Sequence, residues 1–368
     1  MTIYYVSGTG NSFRAASWLF DAVSAEGSAV QLLPVDKATA TRTPEAGPRQ
    51  LVALYHPAHG LMPPWSMIKF LLFQLPRGNG RHGAVVTTRG GIPISKLIIP
   101  GGGGLALYFP LLILLLKGYR IRGALGLDMP CNLLNVHWGI TAKNTQMMLS
   151  RARTHHTRFV AALADGRPAF RFFNMLWELL FCIPFVFYPL LPILYLTISR
   201  VFMAKLMFTD SACKHCGACA RHCPREAIKM TGAPRTQIPF WTWRCEACMR
   251  CMAFCRHRSI QASHLWAFFL GWGTSFVSAE ILTRQSVALL PGMPDWVISQ
   301  MQVVSWMLAF ILIIAAYYLF FGLLKIPPLR LLFSYTTLTR FYHRRYHEPE
   351  TRAKEMVNGR TGSVKTED

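Results

Sequence analysis

Along the first third of the chain, apolar residues come in short unbroken runs rather than in alternation. Residues 3–6, 30–35, 51–55, 84–88 and 121–127 are such runs, separated by stretches of helical period. A strand buried on both faces reads as a continuous apolar run, and strands alternating with helices make a parallel sheet. The pattern predicts an α/β domain over residues 1–165, a doubly wound five-stranded parallel sheet whose ligands bind at the carboxyl ends of the strands. The helical stretch at 104–117 is unusually apolar for an outer helix of such a fold, and is expected to dock on a further apolar element.

The apolar pattern changes after residue 165. Residues 172–208 are apolar but broken by Pro184, Pro189 and Pro192, and carry Glu178. As one helix this run would measure about 55 Å, short of two crossings of a ~30 Å hydrocarbon core. It is expected to form a bent helical connector in the cytoplasmic leaflet, with Glu178 near a helix start at the interface. A buried connector between domains is the alternative. Residues 265–282 and 303–324 are long enough to predict two transmembrane helices. The segments expected are therefore 1–165, a membrane-associated connector at 166–208, 209–263, two spans within 264–326, and a basic tail at 327–368. The basic tail places both ends on the cytoplasmic side of the inner membrane in a multi-pass topology. Residues beyond about 349 are polar and are expected to be disordered.

Composition agrees with a membrane-bound chain. Of 368 residues, 52% are hydrophobic and 15% charged, and mean hydropathy is positive. Net charge is +22. The basic residues flank apolar runs and cysteine motifs instead of lining one face, which argues against nucleic acid and for anionic lipid or acidic proteins. No signal peptide opens the sequence, so reduced thiols are expected.

Eight of ten cysteines form two copies of C-x2-C-x2-C-x3-C: Cys213, Cys216, Cys219, Cys223 and Cys245, Cys248, Cys251, Cys255. In such runs three thiolates wrap one iron–sulfur cube and the fourth reaches the other. The spacing therefore predicts two [4Fe–4S] clusters. One is held by Cys213, Cys216, Cys219 and Cys255, the other by Cys245, Cys248, Cys251 and Cys223. Zinc takes four thiolates but rarely in this spacing, and a disulfide framework would need a secreted chain. Residues 209–263 resemble a bacterial-type two-cluster ferredoxin. Pro224 follows the first run as that pattern asks, whereas Arg256 replaces the second proline.

Residues 7–12, Ser-Gly-Thr-Gly-Asn-Ser, link the first strand to a helix from Phe13. Hydroxyls and backbone N–H groups at a helix N-terminus cradle a phosphate. The loop has no lysine, so it is not a Walker loop. It resembles the phosphate loop of flavodoxins, which implies that Ser7, Thr9, Gly10, Asn11 and Ser12 hold the phosphate of FMN. By the same resemblance His56 and His59, after the third strand, and Arg89 and Gly90, after the fourth, border the flavin ring. Trp65 is a further aromatic candidate. Cys131 and Cys182 read as small buried apolar residues.

The whole chain resembles flavodoxin–ferredoxin fusion proteins. The resemblance implies a membrane-bound electron-transfer protein that relays electrons between the clusters and FMN. The expected partners are an acidic soluble donor, such as a ferredoxin or flavodoxin, and a membrane-bound or lipid-soluble acceptor. A reductase acting directly on a quinone or another lipophilic substrate is the alternative function, and a redox sensor a weaker one. No acid–base pair stands out.

Overall fold

A computed structural model describes residues 1–35, 50–131, 141–233, 235–266, 311–312, 314–341 and 346–362, with five isolated positions between 267 and 310. From the N-terminus, the elements are β1 (Thr2–Tyr5), α1 (Asn11–Ala25), β2 (Val30–Pro34), β3 (Leu51–Pro57) and α2 (Trp65–Lys69), which runs on as a π turn. They continue as β4 (His82–Gly90), the hairpin β5 (Ile92–Ile94) and β6 (Leu97–Ile99), α3 (Leu105–Leu116), β7 (Arg120–Met129), α4 (Ala142–Ala164) and β8 (Ala169–Phe170).

The fold is mixed α/β around a seven-stranded sheet. Its parallel strands run in the order β2-β1-β3-β4-β7-β8. Each of the five expected runs lies in one of the first five strands of that order. Both faces of the sheet are covered, which explains their unbroken apolar character. On one face Phe13, Leu19 and Phe20 of α1 pack with Ala152 and Phe159 of α4. On the other, Met67 and Phe70 pack with Leu107, Leu111 and Leu114 of α3.

Two edge strands extend the sheet beyond the expected five. Beside β7, β8 adds two residues. At the opposite edge Arg360–Gly362 pairs antiparallel with β2. The tail beyond 349 was expected to be disordered, yet residues 346–362 fold back onto the first domain. Met356 fills the core, and the Tyr5 hydroxyl donates to its carbonyl at 3.2 Å. An open sheet edge offers backbone bonds that hydropathy does not register.

The apolar connector forms α5 (Phe172–Leu180), α6 (Ile183–Phe187) and shorter turns up to Lys205. Glu178 is not an interfacial residue. It is fully buried and accepts from the backbone N–H groups of Gly103 and Gly104 at 2.6 and 2.7 Å, and from Arg89 Nη1 at 2.5 Å. A carboxylate is stable there because three donors replace its water. Helix α3 docks on α5 as its composition suggested, through a bond from the Tyr108 hydroxyl to Met175 O at 2.7 Å. The outer face stays bare: Phe172, Phe173, Val186 and Phe187 are each more than 70% exposed.

Among the described residues no single helix is long and apolar enough to cross a membrane. Most of the expected span at 265–282, and the first part of that at 303–324, lie outside those residues. Ile314–Leu323 and Pro327–Tyr335 are apolar together but bent by 113°. Pro327 and Pro328 open the second helix, where a missing N–H costs nothing. Phe320 packs against Phe208, Trp266 and Phe333.

Candidate redox site

The two cysteine runs fold as copies of one another. Met207–Thr209 pairs with Ile260–Ala262, and Ile228–Thr231 with Ile238–Trp241. Left-handed residues recur at matching places: His215 and Ala247, Gly217 and Met249, Glu226 and Arg258. Each pair is offset by the 32 residues that separate Cys213 from Cys245. These turns wrap each loop inward, and each wrap is followed by a single-turn helix, Ala218–Arg221 or Arg250–Ala253.

The thiols gather in two groups, and the fourth cysteine of each run changes sides. Cys219 has Cys213, Cys255 and Cys216 as the cysteines that act on it electrostatically. Cys251 has Cys245, Cys248 and Cys223. Those last four line one small cavity with Trp241, Ile228 and Met249. Backbone N–H groups point at sulfur from Ala227 to Cys223 at 3.3 Å and from Ala247 to Cys245 at 3.4 Å. Burial pushes the Cys219 thiol up to about 11 and Cys245 up to about 12. The residues at the second centre thus fit an anionic iron–sulfur cube, with sulfur donors, inward N–H groups and an apolar wall, and the first centre offers four sulfur donors with the Ala220 N–H on Cys219.

Residues 205–256 match the family model of the 4Fe-4S dicluster domain.

The match spans Cys213 to Cys255, all eight cysteines of the two runs. A search of curated proteins finds no match to the chain. The dicluster segment carries iron–sulfur chemistry and, with it, an electron-transfer role.

A further cavity, about 220 Å³, joins this segment to the sheet domain. Ser7, Thr9, Asn11 and Ser12 line one side, His59 and Gly60 another, and Ala247, Cys248 and Met249 close it. The approach is close. A Cβ placed on Gly8 would sit 2.0 Å from the Cys248 carbonyl oxygen, so glycine is required by space. Arg250, buried, donates from Nη2 to Ser7 O at 2.6 Å and from Nη1 to His222 O at 3.3 Å, tying the glycine loop to both cysteine runs.

Ser7 Oγ is buried at the cavity and has no hydrogen-bond partner among the described residues. Gly10 begins α1 in the left-handed region at φ 104°. Together with the first N–H groups of α1 this suits a phosphate. Asn11 and Ser12 are already engaged: Asn11 Nδ2 donates to Pro130 O at 2.6 Å, and Ser12 Oγ lies 2.7 Å from Thr88 Oγ1. Their side chains shape the loop more than they reach for a ligand.

Of the other expected contacts, His59, Arg89 and Gly90 line the cavity, but His56 does not. His56 is completely buried, and burial lowers it to about 4. The Arg89 side chain turns away to Asp128, at 2.9 and 3.0 Å, and to Glu178. Trp65 packs on Arg200 and Lys69 instead. Sequence reasoning missed Tyr195, whose ring lies against Gly60 and lines the cavity. It also missed Tyr346, whose hydroxyl donates to Asn11 Oδ1 at 2.6 Å. The π turn that presents Tyr195 (Tyr195–Ser199) has no sequence signature, although such turns gather at functional sites.

Proposed function

We propose that the chain is a membrane-associated electron-transfer protein in which two [4Fe–4S] clusters exchange electrons with FMN held by the glycine loop. Cys213, Cys216, Cys219 and Cys255 hold the first cluster. Cys245, Cys248, Cys251 and Cys223 hold the second. The carrying observation is the cavity shared by the glycine loop and Ala247–Cys248–Met249. A group bound there lies against the second cluster's own backbone.

The sheet supports a flavin at this place. The order β2-β1-β3-β4-β7 is that of flavodoxin-like folds, in which FMN binds where the strand order reverses, between β1 and β3. The cavity is lined by the segments leaving those two strands, residues 7–12 and 57–60. Ser7 and the start of α1 would take the phosphate, with Tyr195 and His59 beside the ring. FMN would supply two-electron chemistry to clusters that each carry one electron.

Lys214 and Arg221 within the first run, and Arg256 and Arg258 just after Cys255, are exposed basic residues, which favours an acidic redox protein as donor. The bare apolar face of α5 and α6 favours attachment to a membrane, where a lipid-soluble or membrane-bound acceptor is at hand. The test is anaerobic purification with iron, sulfide and flavin quantitation. The expected contents are about eight iron and eight sulfide, with flavin retained or taken up from added FMN. Thr9→Glu should abolish FMN binding by repulsion and leave the iron in place. Stoichiometric zinc, or a chain that refuses FMN, refutes the corresponding half.

A further inference from the structure

An open pocket of about 650 Å³ shares only Arg89 with the glycine-loop cavity. Its walls are of two kinds. Ile98, Phe172, Phe173, Leu176 and Leu180 form an apolar side that runs out onto the bare face of α5 and α6. Arg151 and Arg171 form a cationic side, with His155 between them.

The positive charge there is only partly offset, by Asp128, which acts on His155 across the pocket. No carboxylate pairs with Arg151 or Arg171 among the described residues. Arg171 Nη1 lies 2.9 Å from His155 Nδ1, so the imidazole accepts from a cation. Asp128 also faces the pocket, but both its oxygens are taken by Arg89, and one of them by the Gly101 N–H as well. Glu178 lies beneath, bound to Arg89 and two backbone donors. Along α4, Arg151, His155 and Arg158 share one face at i, i+4 and i+7.

We propose that this pocket binds an anionic phospholipid, its phosphate between Arg151 and Arg171 and its acyl chains along Phe172, Leu176 and Leu180. A small soluble anion would leave the apolar wall in water. A neutral lipophile would leave the two guanidinium groups without a counter-charge. A molecule with an anionic head and a hydrocarbon body satisfies both walls, and its tails continue in the direction of the exposed helices. The site deepens the membrane part of the function proposed above.

A monodisperse ligand separates failure of the site from failure of membrane attachment. Dihexanoyl-phosphatidylglycerol, dihexanoyl-phosphatidylcholine and inorganic phosphate are titrated calorimetrically into the full iron-loaded chain in a non-ionic detergent. Vesicle flotation scores membrane attachment independently. The glycerol lipid should bind about tenfold tighter than the choline lipid or more, given two arginines at the headgroup. Arg151→Gln with Arg171→Gln should erase that difference while iron content is unchanged. Phe173→Ser, at a position 82% exposed, should weaken both lipids alike. Equal affinity for the two lipids in the unaltered chain overturns the proposal. So does a preference that survives the double substitution, or phosphate binding as tight as the acidic lipid.

Discussion

The two cysteine runs share one backbone and differ in what surrounds it. Around Cys213, Cys216 and Cys219 the chain is open: Cys216 is exposed, and Lys214, Arg221, Arg256 and Arg258 reach solvent. Around Cys245, Cys248 and Cys251 it is closed. Met207, Trp241 and Met252 pack there, Arg250 is buried against the glycine loop, and Gly8 touches the Cys248 carbonyl. Even the matched left-handed position differs, a glycine at 217 and a methionine at 249. A duplicated motif can thus serve two tasks. The open copy is suited to meeting a partner, and the closed copy to passing electrons inward.

The largest effect should come from removing one copy at a time. Cys245→Ser should lower iron from about eight to about four per chain and cut the path between the first cluster and bound FMN. Cys216→Ser should remove a similar amount of iron but spare the spectrum of the second cluster. Iron analysis and electron paramagnetic resonance of the two variants check this. Identical residual spectra would mean that the copies are not distinct.

Glycine substitutions sharpen the contrast. Gly8→Ala drives a methyl group into backbone and should lower stability by about 1–3 kcal/mol, with loss of FMN affinity. Gly217→Ala carries only the left-handed penalty of about 1–2 kcal/mol, and its nearest neighbour is the mobile end of Arg221 at 3.2 Å. It should leave FMN binding unchanged. Thermal unfolding and flavin titration of both variants decide it.

Much of this was legible in the sequence, for identifiable reasons. Strands covered on both faces betray themselves as apolar runs, and cluster spacing is set by metal chemistry. The strand Arg360–Gly362 was not legible, because an edge strand is held by backbone bonds that any side chain permits. Glu178 was misplaced because its stabilisers, Gly103, Gly104 and Arg89, lie more than seventy residues away. His56 was expected in the loop after the third strand, but β3 runs on to Pro57 and holds His56 inside the sheet, fully buried. The meeting of Gly8 with Cys248 depends on how two domains dock, which no local pattern encodes.

Acidity separates the copies more gently. Burial raises four of the cluster thiols above the usual value of 9: Cys219 up to about 11 at the first site, and Cys245 up to about 12 with Cys248 and Cys251 at the second. The folded iron-free chain therefore keeps protons that the unfolded chain releases. Its stability is full below pH 9 and declines as pH rises beyond it. Cluster assembly must expel those protons, so reconstitution should accelerate with pH, the second site trailing the first. Denaturant titrations and timed iron uptake across this range check both signs.

The smallest effect concerns docking. Arg256→Glu with Arg258→Glu should slow reduction by an acidic ferredoxin several-fold at low salt and little at high salt. A rate indifferent to salt would move the donor away from the first cluster.

The account rests on the direction of flow from open copy to closed copy to flavin. Stopped-flow absorbance tests it most directly, with the FMN-loaded chain mixed anaerobically with a reduced acidic ferredoxin. The account predicts that cluster absorption bleaches first and the flavin band follows, and that Cys245→Ser abolishes the second phase alone. Flavin bleaching ahead of the clusters, or undiminished in Cys245→Ser, would contradict it.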